Sequence, residues 1–247
     1  MDANPKAPKN RARDHLPFTP KREQQFRWRG TEISRVEGFT DAVFAFVVTL
    51  LVVALEVPHT FDGLLDVLRG FPAFVFCFAI LMTFWNEHYR YHRRYGLEDV
   101  FSRLTTFAIL VLVLFFVYPL KYLFTMLTAM MFGFEMHDAP QLEGAGQVQT
   151  LYVIYGLGFA GAWSLYALLY AHAWRLRAQL ELDAAEQLHT RASLLENLIY
   201  VAVCLLSITL ALTTSNDWLP GVIYFLLAPL QTLNGWWHGS RARALRS

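Results

Sequence analysis

The sequence predicts an all-α, polytopic membrane protein with six transmembrane helices, and three observations carry that prediction. Of 247 residues, 55% are hydrophobic and only 17% are charged, a balance outside the range of ordinary soluble domains. The apolar residues are gathered into blocks, six of which can cross a bilayer as helices: about 39–57, 66–88, 104–130, 150–174, 194–214 and 217–236. The third observation is where the 21 Lys and Arg fall: nine precede the first block, from Lys6 to Arg35, and four (Arg90, Arg93, Arg94, Arg103) lie between the second and third. Arg175, Arg177 and Arg191 lie between the fourth and fifth, Arg241, Arg243 and Arg246 follow the sixth, and only Arg69 and Lys121 fall on the other side. The positive-inside rule then puts both termini in the cytoplasm of a cell inner (plasma) membrane, and an even number of spans agrees.

Taken in order, residues 1–34 read as a flexible, basic cytoplasmic tail, with Pro5, Pro8, Pro17 and Pro20 among charges and no apolar stretch of signal-peptide type. Residues 35–236 form the membrane domain and 237–247 a second basic tail. Either tail suits anionic lipid head groups or simply enforces topology, and a nucleic-acid partner is not expected. Within the second block the strictly apolar core is only Phe71 to Trp85, so that helix must continue past Gly70 or Asn86 to span. The third block contains Pro119, which should kink or end its helix. In the fourth, Gly156, Ala160 and Ser164 recur at four-residue spacing and predict a close helix–helix seam. Ser193 and Glu196 have the spacing of a capping box at the start of the fifth span. Cys77 and Cys204 sit in apolar spans and read as small core hydrophobes. Trp218, Trp236 and Trp237 stand at span ends, as interfacial aromatics do.

The first span is the most informative. Asp41 stands at the start of an apolar run, where a carboxylate costs a few kcal/mol unless paired or hydrated. Arg35 is too far from it for an i,i+4 pair, so each is expected to reach a different neighbouring helix. The motif Arg35-x-x-x-Phe39-Thr40-Asp41, followed by AVFA, an aliphatic pair and TLLV, resembles the signature of the transmembrane protein 175 family, the lysosomal potassium channels and their bacterial relatives. Trp85-Asn86-Glu87-His88 is similar to the family's W-x-x-H, and the third span is expected to end in Pro119 as in many relatives. The chain departs from the pattern with Thr40 for the usual Ser, Phe46 for Ile or Leu, and Val53 for Leu.

That resemblance implies passive conduction of potassium ions. With a single copy of the motif, it also implies a homotetramer, since one copy of the first span cannot enclose a pore. Phe46, Thr49, Leu50 and Val53 share one helix stripe, and the matching family positions line the ion path. Four copies would stack rings of apolar side chains with one ring of threonine hydroxyls, a constriction that gates by excluding water. Arg35, Phe39, Thr40, Asp41 and His88 are expected to form a supporting network, with His88 and Asn86 as partners. The same Thr40 and Asp41 also suit a helix N-terminus.

Other chemistries fit less well. Glu87, His88 and His92 have helical ligand spacing but no third ligand, and the adjacent arginines repel a cation, so no metal or other cofactor is expected. An enzyme would need an intramembrane nucleophile and base, or paired acids, and the spans offer neither. A secondary transporter is the nearer rival, but there is no inverted repeat and no midplane charge. A proton-permeable or weakly selective cation channel stays open as an alternative.

Overall fold

The computed structural model describes residues 26–30, 32–53, 57–133 and 146–244. Its elements in chain order are α1 (Arg35–Val53), α2 (Phe61–Arg69), α3 (Phe71–Tyr95), α4 (Val100–Phe132), α5 (Gln147–Arg175), α6 (Ala184–Thr213), the single-turn α7 (Leu219–Val222), a 3₁₀ turn (Ile223–Leu226) and α8 (Leu227–Ala244). All are helical, and α2 and α3 are one near-continuous apolar rod jointed at Gly70. Five helices or jointed helices, from α1 to α6, are long and apolar enough to cross a membrane. The sixth block is met by the unbroken run α7–3₁₀–α8, whose tightened turn gives a poorer, segmented helix.

Several helices outrun their apolar blocks. α3 continues past Asn86 through a basic last turn, His92, Arg93 and Arg94, to Gly96, which closes it in the left-handed conformation at φ 60°. α4 starts from an Asp99 cap that accepts from the Ser102 N–H and runs on through Pro119 instead of ending there. The Pro119 carbonyl accepts from Tyr155 Oη at 2.6 Å, tying that point to α5. α6 begins ten residues before the expected Ser193: its capping box is Asp183 with Glu186. Ser193 is instead a buried mid-helix residue that accepts from Arg94 Nη1.

The helices alternate in direction, so the start of α1, the end of α3, the start of α4, the end of α5, the start of α6 and the end of α8 gather at one end. Contacts across this end confirm the grouping: Glu37 to Arg93, Asp99 to His172, Arg94 to Ser193 and Asn234 to the Ala192 carbonyl. α5 and α6 form the most extensive pair. A Cβ on Gly156 would lie 2.6 Å from the Ile208 side chain, so the predicted seam is real and needs glycine there. Both cysteines are buried and free.

Candidate functional site: the two faces of the first span

α1 packs against α3 and α4 at one edge of the bundle. Thr40, Phe44, Val47 and Leu51, at successive three- and four-residue steps, are each at most 2% exposed. In lipid this face gains little from the hydrophobic effect and is held by close packing and satisfied polar groups. The Thr40 hydroxyl is turned inward and donates to the Val36 carbonyl of its own helix at 2.8 Å. The opposite face has no such partners. Phe46 is 56% and Val53 70% exposed in the protomer, and Thr49 is exposed with its hydroxyl donating to the Ala45 carbonyl at 3.0 Å. Leu50 differs from the other three: it is half-buried against the core. Residues 54–56 lie outside the described residues, so the stripe is seen only as far as Val53.

Among the described residues no side-chain hydrogen bond links Arg35, Phe39, Thr40, Asp41 and His88 to one another; Thr40 bonds its own helix and Asp41 a tryptophan of α3. Asp41 is exposed rather than buried, and its carboxylate accepts from the indole N–H of Trp85 at 2.8 Å. Thus the first residue of Trp85-x-x-His88 meets the motif acid, while Asn86 points outward. His88 lies 1% exposed and neither ring nitrogen finds a protein partner; its ring packs against that of His92, 4.2 Å away. Phe39 is 54% exposed and meets Phe107 of α4 edge-on. Arg35 is exposed, and the acid that pairs across to α3 is the one sequence reasoning passed over. Glu37, 4% exposed, forms an ion pair with Arg93, whose Nε lies 3.2 Å from its carboxylate.

A second missed feature lies just before α1. The described part of the tail, Phe26–Gly30, is packed. Phe26 is 5% exposed and meets Tyr95 edge-on. Arg29 forms an ion pair with Glu186 at 2.7 Å, and the Gly30 N–H donates to the Arg93 carbonyl while its own carbonyl accepts from the Arg93 guanidinium. The flexible-tail expectation therefore does not extend to these residues; residues 1–25 lie outside the described residues. The signal was present as alternating aromatic and basic residues, Phe26-Arg27-Trp28-Arg29, a pattern suited to cation–π contact. Nearby, Asp99 both caps α4 and bonds His172 at 2.8 Å. Partial burial opposes its ionisation, but the Ser102 N–H and His172 outweigh that and hold the carboxyl below its ordinary value.

Comparison with known proteins matches this arrangement. The family described as "Endosomal/lysosomal potassium channel TMEM175" matches residues 35–119, from the start of α1 to the proline of α4. A potassium channel of Marivirga tractuosa is 32% identical over 89% of this chain and 93% of its own length. One from Chamaesiphon minutus is 27% identical over 54% of this chain and 65% of its own. The crystal structure of a variant of the potassium channel MtTMEM175, solved with a nanobody–MBP fusion, superposes with a TM-score of 0.78 at 32% identity, over 87% of this chain and 97% of that one. A lysosomal potassium-selective TMEM175 homologue from Chamaesiphon minutus shares the fold at TM-score 0.52 and 24% identity, over 81% and 95%. The family is one of ion channels, which sets the enzyme reading aside. On identity and coverage together, this chain belongs to the TMEM175 family.

Proposed function

We propose that the protein is a passive potassium channel made of four copies of this chain, with the pore lined by Phe46, Thr49, Leu50 and Val53 of α1. The observation that carries this reading is the asymmetry of α1: one face is sealed against α3 and α4, while Phe46 and Val53 stand 56% and 70% exposed. A fourfold axis along that exposed face gives the stripe a partner, namely its own copies. The relatives named above are potassium channels, which supports K⁺ as the permeant ion.

In this reading no backbone carbonyl cage strips the ion. Rings of Phe46, Leu50 and Val53 exclude water, and the Thr49 ring supplies the only hydroxyl oxygens on the stripe. An ion must shed part of its hydration to pass, and potassium does so at lower cost than sodium. Arg35, Phe39, Thr40, Asp41 and His88 act as structural support, with Asp41 held by Trp85. The termini face the cytoplasm of the inner (plasma) membrane, in line with the basic residues gathered at the end of the bundle where α1 starts. Residues 35–236 form the channel domain, embedded in membrane lipid.

The test is flux from liposomes carrying the purified protein, under imposed K⁺ or Na⁺ gradients. Passive K⁺ efflux exceeding Na⁺ efflux, with no second solute required, is the expected result. Efflux that proceeds only with a co-transported solute or proton gradient contradicts the channel reading.

A further inference from the structure

Trp174, in the last turn of α5, is where two guanidinium groups converge. Arg177 lies 4.9 Å from its ring centroid and Arg191, reaching across from α6, lies 4.3 Å away. Both arginines are exposed. Among the described residues neither forms an ion pair, in contrast to Arg29, Arg90 and Arg93 of the same end, which are paired with Glu186, Glu87 and Glu37. Glu186 and Glu196, five residues either side of Arg191 on α6, face Arg29 and Arg90 instead, and Glu181, four residues after Arg177, forms no ion pair among the described residues. Two like charges drawn onto one indole, with the neighbouring acids of α6 facing elsewhere, make a site that attracts an anion.

What lies above the charges identifies the anion. On α6, Arg191, Leu195, Leu198, Leu205 and Leu212 follow one another at helical repeats along a single face. The leucines are exposed by 42%, 46%, 51% and 69% in that order. A cationic rim continued by an apolar stripe running into the membrane suits an amphiphile with an anionic head and a long chain, not a free ion. α8 runs beside the same helix: bonds from Gln231 to the Glu196 carbonyl and from Asn234 to the Ala192 carbonyl set it antiparallel to α6. This sets the Trp237–Arg241 pair, 4.5 Å apart, beside the first turns of α6.

We propose that the rim formed by Trp174, Arg177 and Arg191 binds the phosphodiester head of an anionic phospholipid, whose acyl chain lies along the leucine stripe of α6. The site is separate from the α1 stripe, and its test needs no ion flux. Full-length protein in detergent would be titrated with phosphatidylglycerol, with phosphatidylcholine and with inorganic phosphate, following bound lipid by native mass spectrometry and the melting midpoint in parallel. Wild type should retain phosphatidylglycerol in preference to phosphatidylcholine. The double variant Arg177→Gln, Arg191→Gln should bind it roughly thirtyfold more weakly, the scale of two basic residues at an anionic surface. Arg69→Gln, at the opposite end, should bind as wild type does. Were the double variant to misfold, Arg177→Lys, Arg191→Lys keeps the charge but not the planar stack and should bind with intermediate affinity. Equal retention of both lipids by wild type, undiminished phosphatidylglycerol binding by the variants, or an equal melting shift from inorganic phosphate would each overturn the proposal.

Discussion

The outer stripe of α1 and the final turns of α3 both carry bulky side chains, yet they are completed in opposite ways. Around Glu87 to Tyr95 almost every group is enclosed by its own chain. Tyr91 and Tyr95 are at most 1% exposed, Tyr95 Oη donates to Thr190, Arg94 reaches Ser193, and Arg93 meets Glu37. The α1 stripe has no such closure: Phe46 and Val53 meet nothing that hides them within the protomer. The contrast suggests a division of labour. One end of the bundle is a self-contained frame around the start of α1, whereas in the tetramer proposed above the stripe would be completed by the other copies. Substitutions in the two regions should therefore fail differently.

The largest stability effect is expected at Glu37. Replacing it with Ala removes the carboxylate facing Arg93, whose side chain is 13% exposed and keeps its bond to the Gly30 carbonyl and its place over the Tyr89 ring. Breaking an enclosed pair in this way costs up to about 3 kcal/mol. Thermal melting of the purified protein should show a large drop, and an unchanged midpoint would remove Glu37 from the frame. Phe46→Ala should behave in the opposite way. More than half of that ring is already exposed in the protomer, so protomer stability should hardly change, while K⁺ flux rises about tenfold, equivalent to ~1.4 kcal/mol less barrier, and selectivity over Na⁺ weakens. Leu50→Ala should raise flux less, because in the proposed pore the Phe46 ring remains the tighter constriction. A large stability loss without added flux at Phe46 would show the ring packing between subunits instead of closing the path.

A smaller effect is expected for the Asp41–Trp85 bond. Because Asp41 is exposed, removing the bond with Trp85→Phe should cost about 1 kcal/mol, near the usual net value for a hydrogen bond. Asp41→Ala and Trp85→Phe combined should be less damaging than the sum of the two, since they share one interaction. Strict additivity would mean that they do not interact. The smallest effect concerns pH. The Asp99 carboxyl is held below its ordinary value in the folded protein, so its stabilisation is complete above the unfolded carboxylate value and fades as pH falls through the folded one. Its side chain is 37% exposed, which limits the gain to a few tenths of a kcal/mol after solvent screening. The melting advantage of wild type over Asp99→Asn should shrink as pH is lowered from 6 towards 3. A constant difference across that range would contradict the assignment.

The spans were legible because hydrophobic runs report the membrane directly, and the five long apolar helices stand where the first five blocks predicted them. Helix ends were not, for a physical reason. The apolar boundary marks where lipid stops, whereas the helix persists until a cap ends it. α6 thus begins at the Asp183 box, not at Ser193, and α3 runs on to Gly96. Of the two outcomes expected at Pro119, a kink or an end, the end does not occur, since a helix packed on its neighbours tolerates a missing N–H. The family motif named candidate side chains around α1. Pairing was beyond it, because Asp41 and Trp85 are 44 residues apart and nothing local chooses Trp85 over Asn86 or His88 for Asp41. The same holds for Glu37 and Arg93, whose contact exists only once α3 has been extended beyond the membrane.

The central claim, that the α1 stripe faces its own copies around a narrow axis, is tested most directly by cysteine cross-linking in the membrane. Phe46→Cys would be compared with Leu157→Cys, a residue on α5 that is 59% exposed and lies off the stripe; Cys77 and Cys204 are buried and do not compete. Under mild oxidation, Phe46→Cys should run as a disulfide-linked dimer on a non-reducing gel, while Leu157→Cys stays monomeric. A Phe46→Cys protein that stays monomeric, or cross-links no better than Leu157→Cys, would contradict the account.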